Sequence, residues 1–289
     1  MIDSQFSSSG ESSALDMIRR IDALARRHDV SYQGCTVRWR EWGQGPPLVL
    51  LHGGHGSWRH WIRNIEALSA THSVWAPDMP GFGDSQDLIG DRHDPQRQAR
   101  LVDTLAGNLD TLLGSRTQID LAGFSFGGLT AGQLAARRGG VTRMALLGPA
   151  GHGGPRRQKT ALVNWRLDDA LARQAALRNN VQSFLLHEPG SVDALALAVH
   201  TAAALATRYR SADFSRSTAL TGALQNLSMP LLMLWGEHDV TAHPVEAAQR
   251  LSDERPEREW CIVPGAGHWV QYERHLDVNG LLGRWLSPA

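Results

Sequence analysis

Several things are scarce in these 289 residues, and each scarcity excludes something. Cysteine occurs twice, at Cys35 and Cys261, far apart and at no disulfide or zinc spacing, so both read as ordinary reduced residues. Charge of one sign is missing: 29 basic against 29 acidic residues leaves a formal net charge of zero. That balance argues against nucleic acid or a charged membrane surface as the main partner. Lysine appears once, at Lys159, so the basic side is almost all arginine, which reads as coding bias. No apolar run approaches the roughly 18 residues of a membrane span. The N-terminal MIDSQFSSSGESSA has no apolar core of a signal peptide. No G-x-G-x-x-G turn is present, and the only lysine follows Arg157-Gln158, so no phosphate loop exists either. Phosphate and redox cofactor chemistry are set aside; no cofactor is expected, and a cytoplasmic location is.

The residues that are present suit one α/β domain carrying an insertion. The chain is too long for a small module and too short for two full-sized domains. Its 42% hydrophobic residues plus 29 glycines are normal for a protein with a packed core. Residues 1 to about 12 are Ser-rich and read as mobile. Ala14 to Arg27 carries a helical stripe of Leu15, Ile18, Ile21, Leu24 and Ala25, so an extra N-terminal helix is expected. Strands follow at 30–32 and 35–42, and Leu48-Val49-Leu50-Leu51 is an unbroken apolar run. Such a run is the mark of a strand buried on both faces of a parallel sheet.

Helices and strands then alternate: helix 58–68, strand 73–76, helix 95–113, strand 118–121, helix 126–138, strand 141–147. This rhythm predicts a doubly wound, mostly parallel α/β sheet. It breaks at Gly148, and from 151 to 222 only helical patterns appear, at 167–177 and 192–208. It resumes with Leu231 to Trp235, a helix at 245–251, the strand 259–263 and a last helix at 270–286. The expected division is an N-terminal extension 1–27, a core of 28–150 and 223–289, and a helical lid 151–222.

Gly123-Phe124-Ser125-Phe126-Gly127 matches G-x-S-x-G, a weak signal alone. Here a strand pattern precedes it and a helix pattern follows. A strand-to-helix turn of that kind crowds its neighbours, so small residues two positions either side of the serine relieve it. A capping serine in a Gly-rich turn is the bland alternative. A neutral hydroxyl is a poor nucleophile and needs a base, which in turn needs a carboxylate to fix its tautomer. Asp239 and His268 stand just beyond strand ends in Trp235-Gly236-Glu237-His238-Asp239 and Gly265-Ala266-Gly267-His268-Trp269. In parallel sheets that edge is where ligands bind.

Together these segments resemble the α/β-hydrolase superfamily over residues 28–286. The resemblance also takes in His52-Gly53-Gly54 and Asp78-Met79-Pro80-Gly81-Phe82-Gly83-Asp84-Ser85. It implies Ser125 as nucleophile, His268 as base and Asp239 as its orienting acid. It implies an oxyanion hole made by the backbone N–H groups of Gly54 and Phe126. Glu237 is the rival acid but falls short of the family position, and His238 reads as a loop residue. His52, His55 and His60 look like a metal cluster but lack H-E-x-x-H and an acidic or cysteine set, so no metal is expected. Asp84 reads as a loop brace. Trp58, Trp61 and Trp269 stand beside the motifs; Trp58 and Trp269 are candidates to wall the pocket, with core packing as the alternative.

The expected activity is hydrolysis of a small-to-medium, apolar carboxylic ester, lactone or thioester through an acyl-enzyme. A carbon–carbon bond hydrolase of aromatic ring-cleavage products is the rival enzyme; Phe124 and His55-Gly56-Ser57 depart from that group's usual residues. Residue 125 being serine excludes the aspartate-nucleophile branches. A perhydrolase or lyase on the same scaffold stays open, since fold does not fix reaction. The rival from another class is a ligand receptor without turnover, disfavoured because all three positions of the serine, acid and histidine are filled.

Overall fold

The computed structural model describes residues 2–158 and 161–287. Eight strands form one sheet in the order β1-β2-β4-β3-β5-β6-β7-β8. They are β1 (Arg26–Tyr32), β2 (Cys35–Trp42), β3 (Pro47–Leu51), β4 (Ser73–Pro77), β5 (Ile119–Phe124), β6 (Val141–Leu147), β7 (Leu231–Gly236) and β8 (Arg258–Val263). Only β2 runs against the rest, and from β4 through β8 every pairing is parallel.

Strand residues alternate between two cores, as a period of two requires. Val49, Leu51, Leu121, Met144 and Met233 join one with α3 (Arg97–Leu113), α4 (Phe126–Arg138) and α9 (Pro244–Ser252). Leu48, Leu50, Ala122, Ala145 and Leu234 join the other with α1 (Ile2–Ala23), α2 (Ile65–Ser69), α10 (Val270–Glu273) and α11 (His275–Leu286). Both faces being covered is the physical reason that the apolar runs lack polar alternation. Between β6 and β7 lie α5 (Ala170–Asn180), α6 (Ala194–Ala206), α7 (Ala212–Ser215) and α8 (Ala219–Leu224), with no strand among the described residues there. Asp169 and Asp193 cap α5 and α6 by accepting the N–H of Ala172 and Ala196. No helix among the described residues is long and apolar enough to cross a membrane.

Several boundaries differ from the sequence expectation, and three helices show why. The N-terminal helix begins at Ile2, inside the stretch read as mobile, and ends at Ala23 rather than Arg27. It stops there because Arg26, Arg27 and His28 pair with Glu41, Arg40 and Trp39 as the start of β1. The helix expected over 58–68 is a 3₁₀ turn at Trp58–Trp61 followed by α2. The Trp58 N–H goes to Asp78, and the Asn64 amide donates to Gln271 O and Asn279, so the chain is pulled off one helical axis. The terminal helix breaks at Arg274, whose guanidinium donates to the carbonyls of Pro264 and Gly265.

Arg40, 2% exposed, anchors the N-terminal helix to the sheet. It donates to Asp22 of α1 and to Asp84 at 2.6 Å each, and to the equally buried Asp78 at 3.3 Å. Trp42 adds a 2.8 Å bond to Ile21 O. Arg40→Met leaves Asp78 as an unpaired buried charge, which should cost about 3–5 kcal/mol. Urea unfolding of the two proteins checks this; a loss under 1 kcal/mol would show that the pair is not carrying stability.

Candidate active site

Three loops leaving the carboxyl ends of β5, β7 and β8 converge. β5 ends at Phe124 and α4 starts at Phe126, so Ser125 alone makes the turn, with φ 54° and ψ −117°. That left-handed value is rare for a residue with a side chain and marks stored strain. Close backbone approach enforces it. A Cβ on Gly123 would lie 2.3 Å from the Gly127 carbonyl oxygen, and one on Gly127 would lie 2.4 Å from those of Leu51 and His52. The Ser125 N–H donates to Leu147 O and its carbonyl accepts from Ala150 N–H, each at 2.9 Å.

His268 Nε2 stands 2.9 Å from Ser125 Oγ, and its Nδ1 stands 2.9 Å from Asp239 Oδ2. Asp239 has no solvent exposure. Its Oδ1 accepts both the backbone N–H and the hydroxyl of Thr241, each at 2.7 Å. The remaining oxygen therefore takes His268 Nδ1–H, leaving Nε2 to accept from the serine hydroxyl. Burial pushes the Asp239 carboxyl up, but the His268 charge and the bonds from His268 and Thr241 outweigh it, and its pKa lies below the ordinary value. Gly148 has φ +48°, and a Cβ there would stand 2.9 Å from Asp239 Oδ2 and 3.0 Å from His268 Nδ1. Only hydrogen leaves that pair its room.

Phe126 N–H opens α4, and Gly54 lies in the loop after β3. Among the described residues neither N–H is used by another group. The Gly54 loop is fixed by histidines. His60 Nδ1 accepts Gly53 N–H at 3.2 Å, and His52 Nε2 accepts Met79 N–H at 3.0 Å while its Nδ1–H donates to Gly53 O. No group of three or more metal-ligating side chains is suitably placed among the described residues. Burial pulls the His52 pKa down to about 4 and that of His60 well below its usual value.

Both histidines are thus neutral when folded, whereas an unfolded histidine takes up a proton near pH 6.5. The unfolded state then binds more protons below that pH, and stability falls as pH drops from 6.5 toward 4. His52 alone should remove about 3 kcal/mol by pH 4. Urea midpoints at pH 7, 5.5 and 4.5 should decline in order; equal midpoints would refute the assignment.

Ser125, His268, Gly54 and Thr241 line a cavity of about 330 Å³ with Phe184, Leu162, Arg156 and Arg216. Two larger recesses, one between α1, α5 and α6 and one beside Tyr32 and α3, hold none of the three converging side chains. Glu273, at the end of α10, ties the cavity's two sides. Its carboxylate accepts Gly267 N–H at 2.6 Å, beside His268, and the N–H groups of His187 at 3.0 Å and Glu188 at 2.7 Å. Trp269 N–H adds a 2.7 Å bond to Leu185 O.

The structure brings Ser125, Asp239 and His268 together and keeps Glu237 and His238 out. Glu237 accepts the Gly265 N–H at the surface, and His238 stacks on His187 at 3.6 Å. Asp84 braces its loop through Arg40. Trp58 and Trp269 do not wall the cavity, correcting that expectation. Both are fully buried, Trp58 between Trp42 and Arg40, Trp269 on Tyr272 with its indole N–H on His60 O. Trp61 is likewise core. Sequence reasoning missed Thr241, although a hydroxyl two residues after an aspartate is a usual turn signal. It also missed Ser211, against Gly54, and Arg156, which arrive on loops without periodicity.

A family model described as the alpha/beta hydrolase fold matches residues 46–275. The chain is 31% identical over 273 residues to a dihydrolipoyllysine-residue acetyltransferase component of an acetoin cleaving system from Pseudomonas putida, covering 85% of this chain and 65% of that protein. It is 29% identical to a 2-hydroxymuconate semialdehyde hydrolase from Pseudomonas sp. strain CF600, covering 89% and 92%. An esterase from Rhodococcus sp. ECU1013 superposes with TM-score 0.74 at 24% identity, covering 90% of this chain and 98% of the other.

Proposed function

This chain belongs to the α/β-hydrolase-fold family and is a hydrolase, and from that premise we propose that it cleaves a small-to-medium carboxylic ester, lactone or thioester through an acyl-enzyme on Ser125. The observation that carries the reading is the serine at φ 54° with the His268 imidazole 2.9 Å from its hydroxyl, inside a cavity walled in part by Leu162, Phe184 and Leu185. His268 takes the hydroxyl proton as Ser125 attacks the carbonyl. The Gly54 and Phe126 amides receive the oxyanion, each worth about 10²- to 10³-fold. His268 then protonates the leaving alcohol, and a water deprotonated by the same imidazole releases the acid. Residues 151–222 act as the lid over this cavity, 28–150 and 223–289 as the catalytic core, and 1–27 as an added extension. A cytoplasmic location belongs to the same proposal and is supported by the two free cysteines.

A series of 4-nitrophenyl esters from acetate to laurate tests this, together with labelling by a fluorophosphonate. Turnover with covalent labelling at Ser125 is the expected result. Labelling without ester turnover would favour the second reading, hydrolysis of a carbon–carbon bond in a ring-cleavage product. That reading is supported by the similarity to the semialdehyde hydrolase over nearly its whole length. Neither labelling nor turnover would leave a receptor.

A further inference from the structure

The cavity has two chemical ends. Leu162, Phe184 and Leu185 make part of it apolar, while Arg156, Arg216 and His152 make another part cationic or polar. The same Arg156, Arg216 and His152, with Ser215, border an adjoining recess of about 320 Å³, so the polar end continues beyond the converging side chains. Arg156 is half-buried and donates from Nη2 to Ser215 O at 3.2 Å. Among the described residues no carboxylate pairs with Arg156 or Arg216. Asp213, three residues before Arg216, is paired with Arg210, and Asp239 with His268. Burial and the like charge of Arg216 hold the Arg156 guanidinium below its usual pKa. Elsewhere in this charge-balanced chain buried guanidiniums meet acids, as Arg40 and Arg97 do. Asp239 attracts Arg156 less than Arg216 repels it, and neither guanidinium is ion-paired among the described residues, so this wall offers an arriving anion two unpaired cationic donors.

We propose that Arg156 and Arg216 form a carboxylate-binding subsite, and that the substrate is an ester bearing a free carboxylate. Its apolar chain lies along Phe184 and Leu162 and its charged end lies on the guanidiniums. The proposal rests on the serine-hydrolase reading above and names its substrate class. A carboxylate's two coplanar oxygens match the guanidinium fork, and a charge-assisted pair is stronger than a neutral hydrogen bond.

The test compares anionic esters with their neutral methyl esters. Mono-4-nitrophenyl adipate carries the charge on the acyl side and 4-(hexanoyloxy)benzoate carries it on the alcohol side. One anionic ester should show a KM about tenfold or more below that of its methyl ester, which also tells which side the charge occupies. Arg156→Gln and the exposed Arg216→Gln should each lower the anionic-to-neutral ratio of kcat/KM by about tenfold to hundredfold, and Arg156→Lys should recover part of it. No preference in the wild type, or a ratio unmoved in both glutamine variants, overturns the subsite. Stronger inhibition by inorganic phosphate than by adipate would overturn the carboxylate assignment. If no ester turns over, the esterase reading fails separately, and adipate titrated calorimetrically into Ser125→Ala decides the subsite. Binding weakened about tenfold by adding Arg216→Gln supports it; no binding, or binding that is not weakened, overturns it.

Discussion

Ser125→Ala should lower kcat by about 10⁴- to 10⁶-fold while leaving the fold and the substrate KM close to wild type. The hydroxyl is the only atom removed, and it lies 2.9 Å from the imidazole that would deprotonate it. The strained backbone is set by neighbours and not by the side chain: Gly123 and Gly127 permit the turn, and Leu147 and Ala150 hold it. Alanine therefore keeps the turn and the oxyanion amides, and only the covalent route is lost. Single-turnover assays with a 4-nitrophenyl ester measure it, since the wild type should release a burst of nitrophenol and the variant none. A variant within tenfold of wild type would mean that the acyl-enzyme route through Ser125 is wrong.

Asp239→Asn should cost about 10⁴-fold in kcat by a different route. Oδ1 of Asp239 faces two donors, the N–H and the hydroxyl of Thr241. Asparagine must give its carbonyl oxygen to that pair, so its NH₂ turns toward His268 Nδ1. The imidazole then carries its proton on Nε2, facing a serine hydroxyl that needs an acceptor there. Shape is preserved and the tautomer is reversed. Circular dichroism and urea midpoint should move little compared with the kinetics. A kcat within tenfold of wild type would show that the aspartate does not orient His268.

What could be read from the sequence tracks how local the cause is. β3 and β7 were legible because Leu48–Leu51 and Leu231–Trp235 meet helices on both faces, which leaves an unbroken apolar signature. The turn at Ser125 was legible because its crowding demands glycine at 123 and 127, within five residues of chain. The pocket walls were not. Trp58 and Trp269 are apolar neighbours of the motif loops, and which side of a loop they occupy depends on Arg40, His60 and Tyr272 brought from elsewhere. The cationic end was illegible for the same reason. Arg156 and Arg216 are 60 residues apart, in a chain whose arginines taken together say nothing about place.

The clamp made by Glu273 bears on how this protein could diversify. Among the described residues its carboxylate bonds backbone N–H groups at 187, 188 and 267 and no side chain. At 187 and 188 a contact of that kind makes no demand on the side chain beyond excluding proline. The side chain at 184, which lines the cavity just before the clamped residues, can therefore be randomised in a library to reshape what the cavity accepts, while the segment that carries it stays registered to the histidine loop.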